Sequence, residues 1–338
     1  MQKRLISSLT GSLLLALALS QILTAETSSV PWNRSFDGGR ALKALDHVVA
    51  TWDLNSSTAD NPQVEVFNQN GERIQQLRVL QAVPQAESVG IWDLSVDPAG
   101  GVAVAAVFAR PGCQRESVLL LYAPEGGLRD AIRLGNGRAI TRLEYDDDGS
   151  LWALGHHSGT LDPAEASMLF HYDSHGNELG AYVSRDQFPQ DAEFTEEGPD
   201  AHGAPGLGVT ATQVWFWLPA SQRLATINKD GSGLAIYTTG LPVGSLPESG
   251  ADELHTEVSR VGMLPSGALL AEARTSSALA VVSAGLFQWT HAGGWTKVED
   301  PRLPVGAQML NATRSGEILL RQYDTDPTRV LLGRTSLD

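Results

Sequence analysis

The most regular pattern in this chain is a pair of apolar segments joined by a short polar turn that ends in glycine. Four copies align on Gly100, Gly149, Gly267 and Gly316. Apolar or aromatic residues stand six and four positions before each of these glycines, and another stands two positions after it. Because an alternation of period two is typical of a half-buried β-strand, each copy predicts a β-hairpin.

A second type of hairpin alternates with the first. Its copies begin at Val64, Leu119, Leu169, Leu224 and Leu286, and a shortened copy stands at residues 330–332. Two degenerate copies of the first type, at residues 47–54 and 209–218, fill the gaps in the series. The pattern therefore predicts six units of roughly 50 residues, each with two hairpins and four strands.

The alternation of two hairpin types resembles the NHL-type and related six-bladed β-propellers over residues 32–338. The resemblance implies an all-β fold, a six-bladed β-propeller of four-stranded antiparallel blades, within a single domain at residues 26–338. The last unit lacks an obvious fourth strand, so we expect a strand from residues 28–45 to join the C-terminal strands and close the ring. A seven-bladed ring is the alternative.

The first 25 residues predict a signal peptide. Basic residues at positions 3 and 4 precede an apolar stretch at 13–19, with small residues at Ser20 and Ala25 as candidate cleavage sites. The apolar stretch is well short of the roughly 20 residues that a membrane span needs. We therefore expect a secreted or periplasmic protein with no integral membrane span.

Charge narrows the range of partners. The chain has 24 basic and 39 acidic residues, and loss of Lys3 and Arg4 with the signal peptide leaves 22 against 39, a formal charge of −17. Such a surface repels nucleic acid and anionic lipid, so we expect neither as a partner. Cys113 is the one cysteine in the sequence, which excludes an intramolecular disulfide.

The strand order predicts two unlike faces. In antiparallel four-stranded blades the short glycine turns share one face, and the longer connections share the other. The predicted long connections are residues 110–117, 158–167, 185–205, 240–255 and 300–305. Three of them carry eleven acidic residues against Arg185. This long-loop face is expected either to bind a cation or basic partner or to keep the protein soluble.

One column of the repeat carries charges at the long-loop end of the innermost strand. Seven residues before the turn glycine stand Asp93, Arg142, Arg260 and Met309. Asp93, Arg142 and Arg260, with the neighbouring Trp92, are the candidate ligand contacts, because arginine binds carboxylates and other anions through two parallel hydrogen bonds. The alternative is a set of structural ion pairs between blades, with Asp93 bridging the arginines.

An enzyme is the rival interpretation. Six-bladed propellers that look similar include lactonases, lyases and hydrolases with a metal in the central channel. Here Glu144, Asn311 and Asp93 are weak candidates that would hold one Ca²⁺ through oxygen atoms. The sequence contains no Gly-x-Ser-x-Gly elbow, so no catalytic residue is assigned.

Histidines are concentrated within a short stretch of the third unit. His156 or His157 would approach His171 if neighbouring strands bring them together, and imidazoles are common zinc and copper ligands. Histidines at strand ends and in turns are the more frequent case. The preferred function at this point is a binding or scaffold module that takes a protein or small-molecule ligand at its long-loop face and channel mouth.

Overall fold

The structure, a computed structural model, describes residues 28–30, 40–45, 48–53, 55–68, 72–97, 99–112, 114–135, 137–157, 162, 165–188, 205–242, 255–276, 281–299, 307–312, 317–322 and 329–334. Within these ranges the chain forms 25 β-strands and two short 3₁₀ helices, Val79–Ala82 and Arg185–Gln187. None of the helices among these residues is long and apolar enough to cross a membrane.

The described strands form six antiparallel sheets, numbered by their order along the chain, five with four strands and one with five. Sheet 6 includes β1 (Ser28–Val30), and sheet 1 contains β2 (Arg40–Leu45), β3 (Val48–Asp53), β5 (Val64–Phe67) and β6 (Arg73–Leu77). Sheet 2 contains β4 (Asn55–Ser56), β7 (Ser88–Val96), β8 (Val102–Arg110), β9 (Gln114–Tyr122) and β10 (Leu128–Arg133).

The remaining sheets repeat the four-stranded order. Sheet 3 contains β11 (Arg138–Tyr145), β12 (Leu151–His157), β13 (Ser167–Tyr172) and β14 (Glu178–Ser184). Sheet 4 contains β15 (Gly206–Val209), β16 (Gln213–Leu218), β17 (Arg223–Asn228) and β18 (Ala235–Thr238). Sheet 5 contains β19 (His255–Met263), β20 (Leu269–Ser276), β21 (Val281–Thr290) and β22 (Gly294–Lys297), and sheet 6 adds β23 (Ala307–Ala312), β24 (Glu317–Gln322) and β25 (Arg329–Arg334).

Sheet 6 is built from both ends of the described chain. Its fourth strand is β1, which pairs antiparallel with β25 through Ser28↔Leu332 and Val30↔Val330. This confirms the predicted pairing of N- and C-terminal strands. The predicted first copy at residues 47–54 begins one strand too late, because β2 already starts at Arg40 and its connection to β3, residues 46–47, carries no glycine.

The predicted connection at residues 110–117 is also wrong, since most of it is strand. Arg110 on β8 pairs with Gln114 on β9 in register. The charged residues that suggested a loop extend the sheet instead, and Glu116 forms ion pairs with Arg110 at 2.6 Å and Arg133 at 2.9 Å. A run of charged residues in the sequence therefore does not distinguish a loop from the end of a strand whose side chains reach solvent.

Six of the predicted glycine turns share one backbone geometry. In each, the glycine N–H donates to the carbonyl three residues earlier at 2.8–3.1 Å, and the glycine has a φ between 79° and 93°. The glycines are Gly100, Gly126, Gly149, Gly176, Gly231 and Gly267. A positive φ of this kind favours glycine because it has no Cβ. We call the end of the sheets that carries these turns the turn end, and the opposite end the loop end.

Five apolar clusters among the described residues each join two consecutive sheets. Trp52 lies between sheets 1 and 2, Trp152 between sheets 3 and 4, and Trp215 between sheets 4 and 5. All three indoles are at most 6% exposed. Sheets 2 to 5 thus bury both faces against their neighbours, and the side chains that alternate along their strands pack at two different boundaries.

Candidate functional site

The predicted charged column coincides with a β-bulge. The register of the first strand against the second shifts at Trp92 in sheet 2, at Thr141 in sheet 3 and at Ser259 in sheet 5, whereas in sheet 6 it shifts at Leu310, after the column residue Met309. The three shifts in sheets 2, 3 and 5 share one position in the repeat. Each of these three residues stands eight positions before its turn glycine, directly before a charged residue of the column. A bulge re-aims the side chain that follows it, so the backbone itself marks this position as special.

The bulges of sheets 3 and 5 match in their side-chain contacts. Thr141 Oγ1 donates to the carbonyl of Leu154 at 3.2 Å, and Ser259 Oγ donates to the carbonyl of Glu272 at 3.4 Å. The following arginine then folds back onto the bulge: Arg142 Nη1 donates to Thr141 O at 2.6 Å, and Arg260 Nη1 to Ser259 O at 2.9 Å. The sequence column therefore reflects a repeated local structure and not chance.

The two arginines each reach toward the sheet that follows their own, Arg142 toward sheet 4 and Arg260 toward sheet 6. Arg142 Nε donates to the carbonyl of Pro205, directly before β15, at 2.9 Å. A Cβ built on Gly206 would lie 3.2 Å from Cβ of Val261, the residue after Arg260. Both guanidinium groups are half-buried. Val261 thus faces sheet 4, and Arg260, its neighbour in the strand, lies on the opposite face with its cross-strand partner Glu272.

Asp93 joins sheets 2 and 3 through the backbone. Its carboxylate is 4% exposed, and Oδ2 accepts the N–H of Leu143 at 2.9 Å. Two residues on, Ser95 Oγ accepts the N–H of Tyr145 at 3.0 Å. These N–H groups lie on the side of β11 that has no strand partner, where a buried donor without an acceptor would be costly. Asp93 therefore has a role in holding the sheets together.

The same device recurs between sheets 5 and 6. Glu272 Oε2 accepts the N–H of Met309, on β23, at 3.0 Å. Sequence reasoning missed Ser95 and Glu272 as linking residues. The signal that would have found them is a polar residue within an apolar strand, at a position whose side chain points toward the next sheet.

Trp92 is the extra residue of the bulge in sheet 2. It is half-buried and packs against the apolar cluster between sheets 2 and 3. The structure describes this packing contact, and Trp92 as a ligand contact stays a prediction.

The predicted calcium donors do not form a recognisable cluster. Asn311 Oδ1 accepts the N–H of Ala312 at 2.9 Å, Glu144 is half-buried on β11, and one Asp93 oxygen is used between sheets. In the part of the chain that the structure describes, no three His, Cys, Asp or Glu side chains are grouped to hold a metal ion. Two of the three predicted donors accept backbone N–H groups, and the metal site stays a prediction.

The histidines of sheet 3 are separated. His171 pairs with Trp152, and the rings stack with centroids 4.0 Å apart. His156 and His157 lie four and five residues further along β12, about 13 Å or more away at roughly 3.3 Å per residue. They also point to opposite faces, His157 against Phe170 at a 5.9 Å centroid separation. The expected approach of these histidines to His171 is wrong, because the strand register places them at opposite ends.

His156 lies at the loop end of β12. It is 4% exposed, and its buried Nδ1 has no hydrogen-bond partner. Burial, followed by the positive charge of Arg185 and by His157, lowers the pKa of His156 from 6.5 to about 4. The imidazole is therefore neutral at neutral pH.

The loop end is partly covered beside sheet 2. β4 pairs with the free side of β7, through Asn55↔Gly90 and Ser56↔Val89. This short strand covers the start of β7, whereas the arginine bulges lie on sheets 3 and 5. Most of the acidic residues of the long-loop face, at 189–204 and 243–254, lie outside the described residues.

Comparison with solved structures supports the architecture. A protein from Bacteroides fragilis, described as a "Putative exported protein", matches with 11% identity and a TM-score of 0.53, over 91% of this chain and 94% of that chain. Radial repetition of four-stranded antiparallel sheets packed on one another is propeller architecture. The chain is an all-β protein of the β-propeller class.

Two enzymes match less well. A glucose dehydrogenase has 11% identity and a TM-score of 0.46, over 92% of this chain and 99% of that chain. The GH74 xyloglucanase from Xanthomonas campestris has 14% identity and a TM-score of 0.47, over 91% of this chain and 45% of that chain. These lower scores carry no functional argument. No protein-family model and no curated protein matches the sequence.

Proposed function

We propose that this chain is an exported, six-bladed β-propeller of the NHL-like type that acts as a binding module. Its signal peptide occupies residues 1–25 and its single domain residues 26–338. The contacts of the first strands support one closed ring: β2 touches β7 and β23, β7 touches β11, β11 touches β15, and β15 and β23 both touch β19. The exported protein among the structural matches supports secretion or a periplasmic location.

The observation that carries the binding proposal is the pair of matched arginine bulges. Arg260 is half-buried, and within the described residues its side chain donates one hydrogen bond, to the carbonyl of Ser259. A guanidinium has five N–H donors, so most of those on Arg260 are available to a ligand. Arg142 has the same bulge geometry at the loop end of sheet 3. A ligand at this channel mouth would carry a carboxylate or another anionic group.

Asp93 and Trp92 belong to the proposed site at its edge, on the neighbouring first strand. The acidic long-loop face would surround this site and would steer cationic partners. Neither nucleic acid nor an anionic membrane surface suits the charge of the chain. An anion at the arginines is compatible with a basic partner on the long-loop face. The arginines would bind the anion through local, half-buried contacts, whereas the acidic face would attract the basic partner over a longer range.

A thermal-shift screen followed by a double substitution tests the proposal. The screen uses small carboxylic acids, divalent cations, lactones, glycans and basic peptides, each with and without a chelator. A ligand that raises the Tm by about 2 °C or more identifies the class. In the variant Arg142→Gln/Arg260→Gln, the ligand should no longer raise the Tm. Without ligand, the Tm of the variant should equal that of the wild-type protein.

Two outcomes would contradict the proposal. One is a ligand-induced rise in Tm that survives the double substitution, which would place binding elsewhere. The other is one tightly held divalent metal per chain by elemental analysis, with stabilisation that the chelator abolishes, which would favour the metal-dependent enzyme.

A further inference from the structure

His156 has an unsatisfied polar atom in a nearly dry position. The residue is 4% exposed, and its Nδ1 finds no partner among the described residues. Most buried polar atoms in proteins are paired, so an isolated one suggests a bound water, an ion or a functional role. Neither the turn geometry nor the apolar packing requires an imidazole at position 156.

Two arginines lie at the same boundary between sheets 3 and 4. Trp152 and Leu154 of β12 pack in the apolar cluster at this boundary, and His156 continues the alternation on that face. Arg142 is the cross-strand partner of Leu154, which places it diagonally next to His156, within reach of a long side chain. Arg185, in the 3₁₀ helix after β14, is close enough to His156 to lower its pKa.

The local backbone fixes this arrangement. Gly155 lies opposite Ile140, where the register shifts before Arg142. A Cβ on Gly155 would stand 2.2 Å from the carbonyl oxygen of Ala139, so β11 and β12 approach here only because the residue is glycine. The bulge and the glycine together direct Arg142 and the imidazole of His156 to one face of the sheet.

Among the described residues, the charges that act on His156 are positive. The charged groups that act on its pKa are Arg185 and His157. The described acidic side chains at this end of sheet 3, Asp162, Glu165 and Asp186, are exposed, and none of them acts on His156. Arg185 would repel a metal cation at His156, whereas it would attract an anion.

We propose that His156, Arg142 and Arg185 form a site for an oxyanion, the carboxylate or phosphate group of a small ligand, at the loop end between sheets 3 and 4. The imidazole N–H and the guanidinium N–H groups would donate to the anion oxygens, because charge-assisted bonds of this kind are short and strong. The site rests on the proposed function through Arg142, which it shares with the channel mouth, and it names the ligand class.

An NMR titration of the histidine rings tests this site. Inorganic phosphate and, separately, acetate are added to the full chain in low-salt buffer, since salt would screen the interaction. Binding should move the His156 ring resonances and shift the midpoint of its protonation to higher pH, because a bound anion favours the imidazolium. The response to phosphate or to acetate distinguishes the two sources of the oxyanion.

Variants locate the binding. Arg142→Gln should weaken the apparent Kd for the responding anion at least tenfold, and so should Arg185→Gln, which changes a half-buried side chain and guards against misfolding. His156→Gln, followed through the backbone amide resonances of β12, should weaken it to the same extent. His175→Gln, in an exposed turn, is the matched control and should bind normally. Saturating phosphate and acetate that leave the His156 resonances unchanged would overturn the proposal, as would equal binding by all four variants.

Arg260→Gln separates this inference from the proposed function. It should leave the anion response of His156 intact while weakening a ligand found in the thermal-shift screen. Loss of the His156 response with an intact screen result removes only the oxyanion site. An intact His156 response with no ligand from the screen removes only the channel-mouth module.

Discussion

The carboxylate of Asp93, on the first strand of sheet 2, accepts the backbone N–H of Leu143, on the first strand of sheet 3, at 2.9 Å. Fifty residues separate the two along the chain, close to the 49-residue spacing of Gly100 and Gly149. A side chain of one repeat thus satisfies the open edge of the next repeat. Stability at this boundary depends on a hydrogen bond as well as on apolar packing.

Replacing Asp93 should destabilise the fold more when the new side chain has no acceptor oxygen than when it keeps one. Asp93→Leu leaves the Leu143 N–H buried without a partner and should lower the free energy of unfolding by about 1–3 kcal/mol. Asp93→Asn keeps an acceptor oxygen and should cost less. Urea denaturation measures both, with Asp60→Ala, at an exposed loop position, as the control. Equal losses for Leu and Asn would argue against the hydrogen bond as the cause.

The turn end carries a second link between sheets. Lys229 Nζ lies 2.7 Å from Asp146 Oδ2, and the Asp146 side chain is 6% exposed. Lys229→Met leaves a buried carboxylate without its cation and should cost roughly 1–3 kcal/mol, less than a fully buried pair because the lysine is partly exposed. Adding Asp146→Asn should restore part of the loss. A double-mutant cycle with additive effects would show that the pair is not coupled.

Turn glycines should differ in their tolerance of alanine according to φ. Gly149 has a φ of 81°, so Gly149→Ala should cost about 1–2 kcal/mol. Gly127 has no positive φ, and a Cβ there meets nothing within 4 Å. Gly127→Ala should therefore be neutral or slightly stabilising. Thermal denaturation of the two variants measures the difference, and equal Tm values would contradict the assigned turn geometry.

Stability should fall as the pH drops below 6.5, and His156 should account for part of the fall. Its folded pKa of about 4 lies below the unfolded value of 6.5, so the unfolded state binds more protons in this interval. The stabilisation is complete above pH 6.5 and is lost as the pH falls toward 4, by up to about 3 kcal/mol. His156→Gln should flatten this part of the pH profile.

Urea denaturation at several pH values provides the measurement for His156. His175→Gln is the control and should leave the slope unchanged, because His175 lies in an exposed turn. A wild-type profile that stays flat between pH 4 and 6.5 would mean that water reaches the imidazole in the folded state.

The hairpin repeat could be predicted from the sequence because turn glycines and strand alternation act within a few residues of the chain. The glycines at 100, 149 and 267 occupy turns with positive φ, and the apolar residues at fixed distances from them lie in strands. Local patterns failed where a feature was not local: β2 has no turn glycine, and the strand end around Arg110 and Glu116 carries loop-like charge. In both places the chain forms a strand because it pairs with a neighbouring strand.

The candidate site divides in the same way. The sequence by itself determined the all-β class, the four-stranded unit and the column that holds Asp93, Arg142 and Arg260, because backbone conformation and side-chain alternation act within a few residues. Only the tertiary structure decided that Asp93 is used between sheets, that the histidines are apart, and that His156 lies on the same face of sheet 3 as Arg142. Those outcomes depend on strand register, on bulges and on the face that each side chain presents to the next sheet. They are determined by contacts between residues about 50 positions apart in the chain.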